Sequence, residues 1–462
     1  MRRAFLTVFV VSVALAAIAV GAVVVGFGGE DATPAATASP SAPAAASKTP
    51  AATSAASPVP TLPSKPTPTP GVGGPTGTAS GPAEHDGERA LALVEELSKS
   101  PRVSGSAAEG YAAEYIADLY RSYGYTTELI QFEFEGDRFR AGAVTLAGKQ
   151  IDALTLAGSP GGTVEAAPAY VGLADEAGIA GQDLTGKIAV ADRGDLNFVV
   201  KYQNVKDAGA IGLVIVNNRA GSFSGNLTTA ATFPVVGVAQ EDGGAILDAA
   251  KSGAALRIEA PPTVGTTKAF NILARPSADG ECAVLVGGHF DTVPSAPGAN
   301  DNASGTANVL ELARAAAADG LDEGLCFASF GAEESGLYGS KDLVASMQKA
   351  GKLPRYMINL DVTGIGDQVE VIGGGAIAND ALSAARQLGI DAIPSQLPPN
   401  SGSDHQSFID AGVATVFLTS GDFGTIHSPQ DVAADVSADE LDRIGDTAFA
   451  LIKMLLAQVA RG

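Results

Sequence analysis

The sequence predicts an α/β protein: a doubly wound mixed sheet into which a β-rich domain is inserted. From about Thr266 onward, short apolar runs alternate with amphipathic helical stretches, the order that winds a sheet with helices on both faces. The run Ala283-Val284-Leu285-Val286 lacks polar alternation, which suits a strand covered on both sides. Between about Ala141 and Ala260 the texture changes to short β-like runs separated by loops, with little helical spacing.

The chain has 462 residues, enough for two or three domains. After Met1-Arg2-Arg3, residues 4–29 carry no charge. A signal peptide's apolar core is about 7–15 residues, whereas about 20 span a bilayer. Residues 1–29 are therefore expected to be an N-terminal transmembrane anchor or a long signal peptide, with the arginines on the cytoplasmic side. No Cys follows the run, which argues against a lipoprotein. Either outcome puts the body of the protein outside the cytoplasm, anchored at the cell surface or secreted. Residues 30–83 are almost wholly Ala, Pro, Ser, Thr and Gly, and read as a disordered linker. The net charge of −22, without a basic stripe, excludes nucleic acid as a partner and favours solubility. Membrane contact is expected through the N-terminal segment only, and the protein is expected to be a monomer.

Residues 84–140 are expected to open the main domain. Helical spacing covers 90–98 and 110–123, with Tyr111, Tyr115, Ile116, Leu119 and Tyr123 on one face of the second stretch. Gly124 is a natural cap, and 126–134 reads as a strand. Residues 141–261 form the insertion, with strands at 143–146, 169–171, 188–191, 213–216 and 235–238 and a helix around 198–208. This segment has no His or Cys and no dense carboxylate cluster. Residues 262–462 are expected to carry the chemistry. Strands fall at 283–287, 325–330, 357–360, 369–372 and 413–418, and helices at 306–318, from about 339, 379–388, 404–410 and 438–459.

The strand at 283–287 delivers His289 and Asp291, two residues apart and so on one side. The Asp291 carboxylate can then accept a hydrogen bond from the imidazole, as metal-ligating histidines commonly require. Asp301 follows in a Gly/Asn/Ser-rich loop at the carboxyl end of the strand, where open α/β sheets keep their sites. Glu333-Glu334 closes a second buried strand, so that consecutive side chains diverge. Asp361 ends a third strand, and His427 stands in a loop after a fourth. Taken singly, these read as a core histidine, a helix cap or a solvated acidic turn. Together they matter more, because of four histidines only His85 lies outside this half, the remaining one being His405. Two His and three acidic groups suit two zinc ions sharing a carboxylate, with a further carboxylate to move the proton. Cys282 and Cys326 lie seven residues before His289 and Glu333 and fit either a disulfide or two core thiols.

Leu184-Thr185-Gly186-Lys187-Ile188-Ala189-Val190-Ala191-Asp192-Arg193-Gly194, Lys206-Asp207-Ala208-Gly209-Ala210-Ile211-Gly212 and Val214-Ile215-Val216-Asn217-Asn218 resemble the protease-associated (PA) domain. That resemblance implies substrate access or partner binding, with no chemistry of its own. His289-Phe290-Asp291, Gly298-Ala299-Asn300-Asp301-Asn302-Ala303-Ser304-Gly305, Glu333-Glu334, Asn359-Leu360-Asp361 and His427-Ser428-Pro429 resemble the co-catalytic two-zinc aminopeptidases. These are secreted leucine-type enzymes related to glutamate carboxypeptidase and glutaminyl cyclase, with a zinc exopeptidase (phosphorylase/hydrolase-like) fold. The resemblance implies that His289 and Asp361 hold one zinc and Glu334 and His427 the other, with Asp301 bridging both. It makes Glu333 the general base, has Asp291 orient His289, and implies peptide or protein N-termini as substrates.

One departure stands out: many members place Tyr before the last His, donating to the tetrahedral intermediate, whereas here the residue is Ile426. His405 is the candidate transition-state donor in its place. A glutamate-carboxypeptidase-like exopeptidase would need basic residues for a substrate carboxylate, and no spacing singles out Arg275, Arg355 or Arg386. A glutaminyl cyclase is disfavoured by the complete five-ligand set. A non-catalytic receptor-like or peptide-binding protein is disfavoured by the presence of every ligand and the base.

Overall fold

Local capping signals start the ordered chain. The Asp86 carboxylate accepts from the Arg89 amide at the head of α1 (Gly87–Leu97), and the Ser106 hydroxyl does the same for Glu109 at α2 (Ala107–Ser122). The computed structural model describes residues 83–461, apart from 137–138, 195, 263–264, 322 and 398–400. The expected N-terminal apolar segment, and all but the last residue of the expected linker, lie outside the described residues. Among the described residues no helix is long and apolar enough to cross a membrane.

After β1 (Thr126–Glu135) the chain runs through β2 (Arg140–Leu146), β3 (Lys149–Thr155), β4 (Gly162–Ala166), β5 (Pro168–Tyr170), α3 (Glu176–Ile179) and β6 (Ile188–Asp192). It continues with α4 (Phe198–Asp207), β7 (Gly212–Val216), β8 (Val235–Val238), α5 (Gln240–Ser252) and β9 (Leu256–Ala260). Next come β10 (Thr266–Arg275), β11 (Val284–His289), α6 (Gly305–Asp319), β12 (Leu325–Phe330), α7 (Tyr338–Ala350) and β13 (Tyr356–Leu360). Then follow β14 (Val369–Gly373), α8 (Gly375–Leu388), β15 (Ala392–Ser395), α9 (His405–Asp410), β16 (Ala414–Thr419) and α10 (Ala438–Val459).

These strands make two mixed sheets of eight. One has the order β1-β10-β12-β11-β13-β16-β14-β15, the other β4-β9-β2-β3-β8-β7-β6-β5. In the first sheet β12, β11, β13 and β16 are parallel neighbours, while β1, β10 and β14 pair antiparallel. Alternation along its strands explains the double winding. Val284, Val286, Phe327 and Ile358 face a core built with α1, α2, α6, α8 and α10, and Leu285, Cys326, Ala328 and Met357 face a second core with α7 and α9. Cys282, just before β11, is joined to Cys326 of β12 in a disulfide with Cα atoms 5.3 Å apart. It sits at the opposite end of these strands from His289.

The structure adds elements that the sequence pattern does not mark. That pattern left out α5, whose Gly243 and Gly244 lower helix propensity. A Cβ on Gly243 would lie 2.2 Å from Val216 Cγ1, so close helix-to-strand packing demands glycine there. It also left out the solvent-facing edge strand β4 and the short β15. Glu333-Glu334 does not close β12, which stops at Phe330. Gly331 and a left-handed Ala332 (φ 53°) intervene and turn the chain.

Glu109 of α2 is fully buried and accepts from the amides of Phe270 and Gly105. Burial pushes its carboxyl from 4.5 up to about 8, with the Phe270 amide opposing. The folded state therefore binds this proton more tightly than the unfolded chain, and stability falls as pH rises from about 4.5 to 8. Because each carboxyl oxygen accepts from a backbone amide, Glu109→Gln sets an NH2 against one of these donors; it is expected to lower the melting temperature at pH 5 and to lower it less at pH 9, as read by scanning calorimetry at both values.

Candidate metal-dependent active site

Because β11, β12, β13 and β16 are parallel, their carboxyl ends share one edge of the sheet. His289 is the last residue of β11, Asp361 follows β13, Glu333-Glu334 follow β12, and His427 (φ 60°) lies in the loop after β16. The Asp301 loop between β11 and α6 is fixed by side chains that bind backbone. The buried Arg102 guanidinium donates to the carbonyls of Phe290 (2.7 Å), Pro297 (2.9 Å) and Gly298 (2.9 Å). Asp431 accepts from the amides of Asn300 (2.6 Å) and Asp301 (3.1 Å). Asn302 donates to the Leu360 carbonyl and accepts from the amides of Gly305 and Val362. The Asp301 carboxylate is left to face the strand ends.

Its two oxygens face different partners. Oδ1 lies 3.3 Å from His289 Nε2, which is 3.4 Å from Asp361 Oδ1. Oδ2 lies 3.0 Å from His427 Nε2, which is 3.1 Å from Glu334 Oε1. The result is two ligand triads, His289/Asp301/Asp361 and Asp301/Glu334/His427, sharing one carboxylate. Glu334 Oε1 and Asp361 Oδ1 are buried without a well-formed hydrogen bond, a costly state for a carboxylate. Imidazole nitrogens with carboxylate oxygens suit zinc, so the residues present fit that ion.

Asp291 lies beside the His289 ring, as its spacing suggests, but its carboxylate has further partners. His289 Nδ1 is 3.2 Å from the Asp291 backbone carbonyl and 3.6 Å from its carboxylate. The carboxylate accepts from the amides of Glu333 (3.0 Å) and Glu334 (3.3 Å) and from Ser104 Oγ (2.7 Å). It therefore builds the acidic turn while keeping its charge near the imidazole.

The electrostatics follow from crowding carboxylates out of water. Burial pushes Glu333 well above the usual carboxyl range, His289 opposing and Glu334 adding to it. Glu334 is raised by burial too, against His427. Burial would also raise Asp301, but His289 and His427 hold it below the usual range. Burial alone would lower His289, yet Asp361 and Glu333 hold it well above 6.5. His427 is raised by Glu334 and Asp301 against burial, an effect weakened by water because its side chain is 46% exposed.

His405 stays outside both triads. Its ring packs on Phe417 with centroids 4.9 Å apart, and burial lowers it to about 4, so it is a neutral imidazole at neutral pH. Ile426 offers no donor. Among residues the sequence reading missed, Ser403 donates to Asp361 Oδ2 (2.7 Å) and is held by Asn359 (2.8 Å). The fully buried Asp404 is pushed by burial up to about 7, with the charge of His289 and the Ser340 hydroxyl opposing. Both sit beside His405 in the stretch Ser403-Asp404-His405. Asp431 lies four residues after His427, whereas nothing local to Arg102 announces its role. Of the three arginines considered for a substrate carboxylate, Arg275 pairs with Glu128, and Arg355 precedes β13, at the opposite end from Asp361.

Residues 271–452 match the model of peptidase family M28, and residues 155–246 match that of the PA domain. Aminopeptidase YwaD of Bacillus subtilis (strain 168) is 31% identical over 395 residues, covering 79% of this chain and 84% of the relative. The probable lipoprotein aminopeptidase LpqL of Mycobacterium tuberculosis is 28% identical over 399 residues, covering 74% and 77%. In structure, BSAP, a zinc aminopeptidase from Bacillus subtilis, superimposes with a TM-score of 0.71 at 28% identity, over 80% of this chain and 95% of that one. The chain belongs to peptidase family M28 and carries an inserted PA domain.

Asp291→Ala leaves the Glu333 and Glu334 amides without their acceptor. Its zinc affinity is expected to fall roughly 10–100-fold, the usual cost of losing support behind a metal ligand; competition against a chelator of known affinity measures it.

Proposed function

We propose that this chain, a zinc metallo-aminopeptidase, is exported and acts as a monomer, removing N-terminal residues from peptides at a centre of two zinc ions bridged by Asp301. The observation that carries this reading is the Asp301 carboxylate, whose two oxygens face two separate triads. His289 and Asp361 would hold one ion, and Glu334 and His427 the other. Bound there, zinc supplies Lewis acidity, polarising the scissile carbonyl and making water acidic enough to attack.

Glu333 is next to Glu334 in sequence, so a carboxylate free of the two triads stands beside them and is available as general base. One Glu333 carboxylate oxygen takes a proton from water and returns it to the leaving amine. Asp291 fixes Glu333 by binding its amide. Two zinc ions would offset the charge of Asp301, Glu333, Glu334 and Asp361, so the preference for a free α-amine over a terminal carboxylate is supported by the aminopeptidase relatives. With Ile426 before His427, the neutral His405 is the side chain suited to donate to the developing oxyanion. The apolar residues 4–29, the Cys282–Cys326 disulfide and the lipoprotein relative support an extracytoplasmic location, with anchoring through the N-terminal segment.

Hydrolysis of leucine p-nitroanilide beside its N-acetylated form, before and after chelation and zinc restoration, tests the reading. Only the free-amine substrate should be cleaved, with activity lost to chelator and regained with zinc. Cleavage of neither by zinc-loaded protein would contradict it and favour the carboxypeptidase-like or non-catalytic alternatives. Glu333→Gln should lower kcat by at least about a hundredfold with zinc content unchanged; near-normal kcat would remove Glu333 from the role of base.

A further inference from the structure

His427 is the exposed member of its triad. It sits in a loop between β16 and α10, with φ at 60°, a region that non-glycine residues occupy only when their surroundings hold them there. The inserted domain comes close to this loop. A Cβ added to Gly221 would lie 3.2 Å from Pro429 Cδ, 3.4 Å from Ser428 Cα and 3.5 Å from the His427 carbonyl oxygen. A loop of the PA domain thus passes so close to the backbone of a candidate metal ligand that one added side-chain carbon would touch it.

That loop is itself firmly built. The Gly221 amide donates to the Glu241 carboxylate (3.0 Å), and its carbonyl accepts from Asn217 Nδ2 (2.8 Å). Asn217 Oδ1 accepts from Arg193 Nη1 (3.0 Å), and the Arg193 guanidinium lies 4.7 Å from the centre of the Phe223 ring. Phe223 in turn stacks on Phe198 of α4 at 5.5 Å. The loop is anchored at its start, middle and end, and the residue that comes close to the His427 loop is a glycine with φ at 81°.

We propose that the PA domain is a positioning element for the metal centre: through Gly221, residues 217–223 hold the His427 loop in its ligating conformation. This rests on the assignment of His427 as a ligand. The domain's contribution is then to the affinity of one of the two zinc sites, the one shared by Glu334 and His427, while the His289/Asp361 site is untouched.

Zinc affinity, read by stepwise chelator competition on the full chain, tests this. Gly221→Val puts bulk against Pro429 and His427. Gly186→Val is the control, since Gly186 has a similar left-handed backbone (φ 70°) in the same domain with nothing within 4 Å of its added Cβ. Glu241→Ala releases the Gly221 amide from the exposed Glu241 and decides the matter if Gly221→Val does not fold. Gly221→Val is expected to weaken one of the two zinc ions by on the order of tenfold, with Glu241→Ala acting less strongly in the same direction and Gly186→Val matching the parent. Parent-like binding of both ions by Gly221→Val and Glu241→Ala overturns the proposal. So does a loss in Gly186→Val as large as that in Gly221→Val, which would make the effect general to the domain. His427→Ala separates the premise: if it still binds both ions, the ligand assignment itself fails, and if it loses one while Gly221→Val and Glu241→Ala lose none, only the positioning role fails.

Discussion

The structure depends on one carboxylate facing two ways. Asp301 directs Oδ1 toward His289 and Oδ2 toward His427, and Asp361 and Glu334 complete the groups on either side. Carboxylates gathered out of water repel one another and lose hydration, so the cluster is tolerable only where cationic charge balances it. Protons on the two imidazoles can supply part of that balance, which is why both histidines are driven upward. Metal ions that bind there must displace these protons, which couples metal uptake to pH.

Much of the surrounding chain serves to keep this arrangement from relaxing. Arg102 and Asp431 bind the backbone on either side of Asp301, and Asp291 binds the backbone of Glu333 and Glu334. Ser403 steadies Asp361. In each case a buried polar side chain is satisfied by main-chain groups or by a neighbouring ligand, so the loops cost little in unpaired hydrogen bonds despite lacking regular structure. The parallel strands provide the common edge, and these ties provide the precision.

The fold was largely legible because its signals are local. Uninterrupted apolar runs marked β11, β12 and β13, and the terminal helix expected at 438–459 is α10, which Ser437 caps. The clustering of acidic and imidazole side chains at strand ends was legible for the same reason. What escaped was non-local. Asp291 lies beside the His289 ring, yet the turn after β12 also brings two amides to its carboxylate. Arg102 lies far in sequence from the loop it grips, and Gly221 is a glycine among 56 until it is seen against Pro429. Spacing along one chain cannot report such contacts.

The proposed two-metal centre is tested most directly by anomalous diffraction at the zinc absorption edge, on crystals of the zinc-loaded protein. The expected result is two strong peaks, one against each oxygen of Asp301, the first among His289 and Asp361 and the second among Glu334 and His427. A single peak at full occupancy, or two peaks that do not share Asp301, would contradict it.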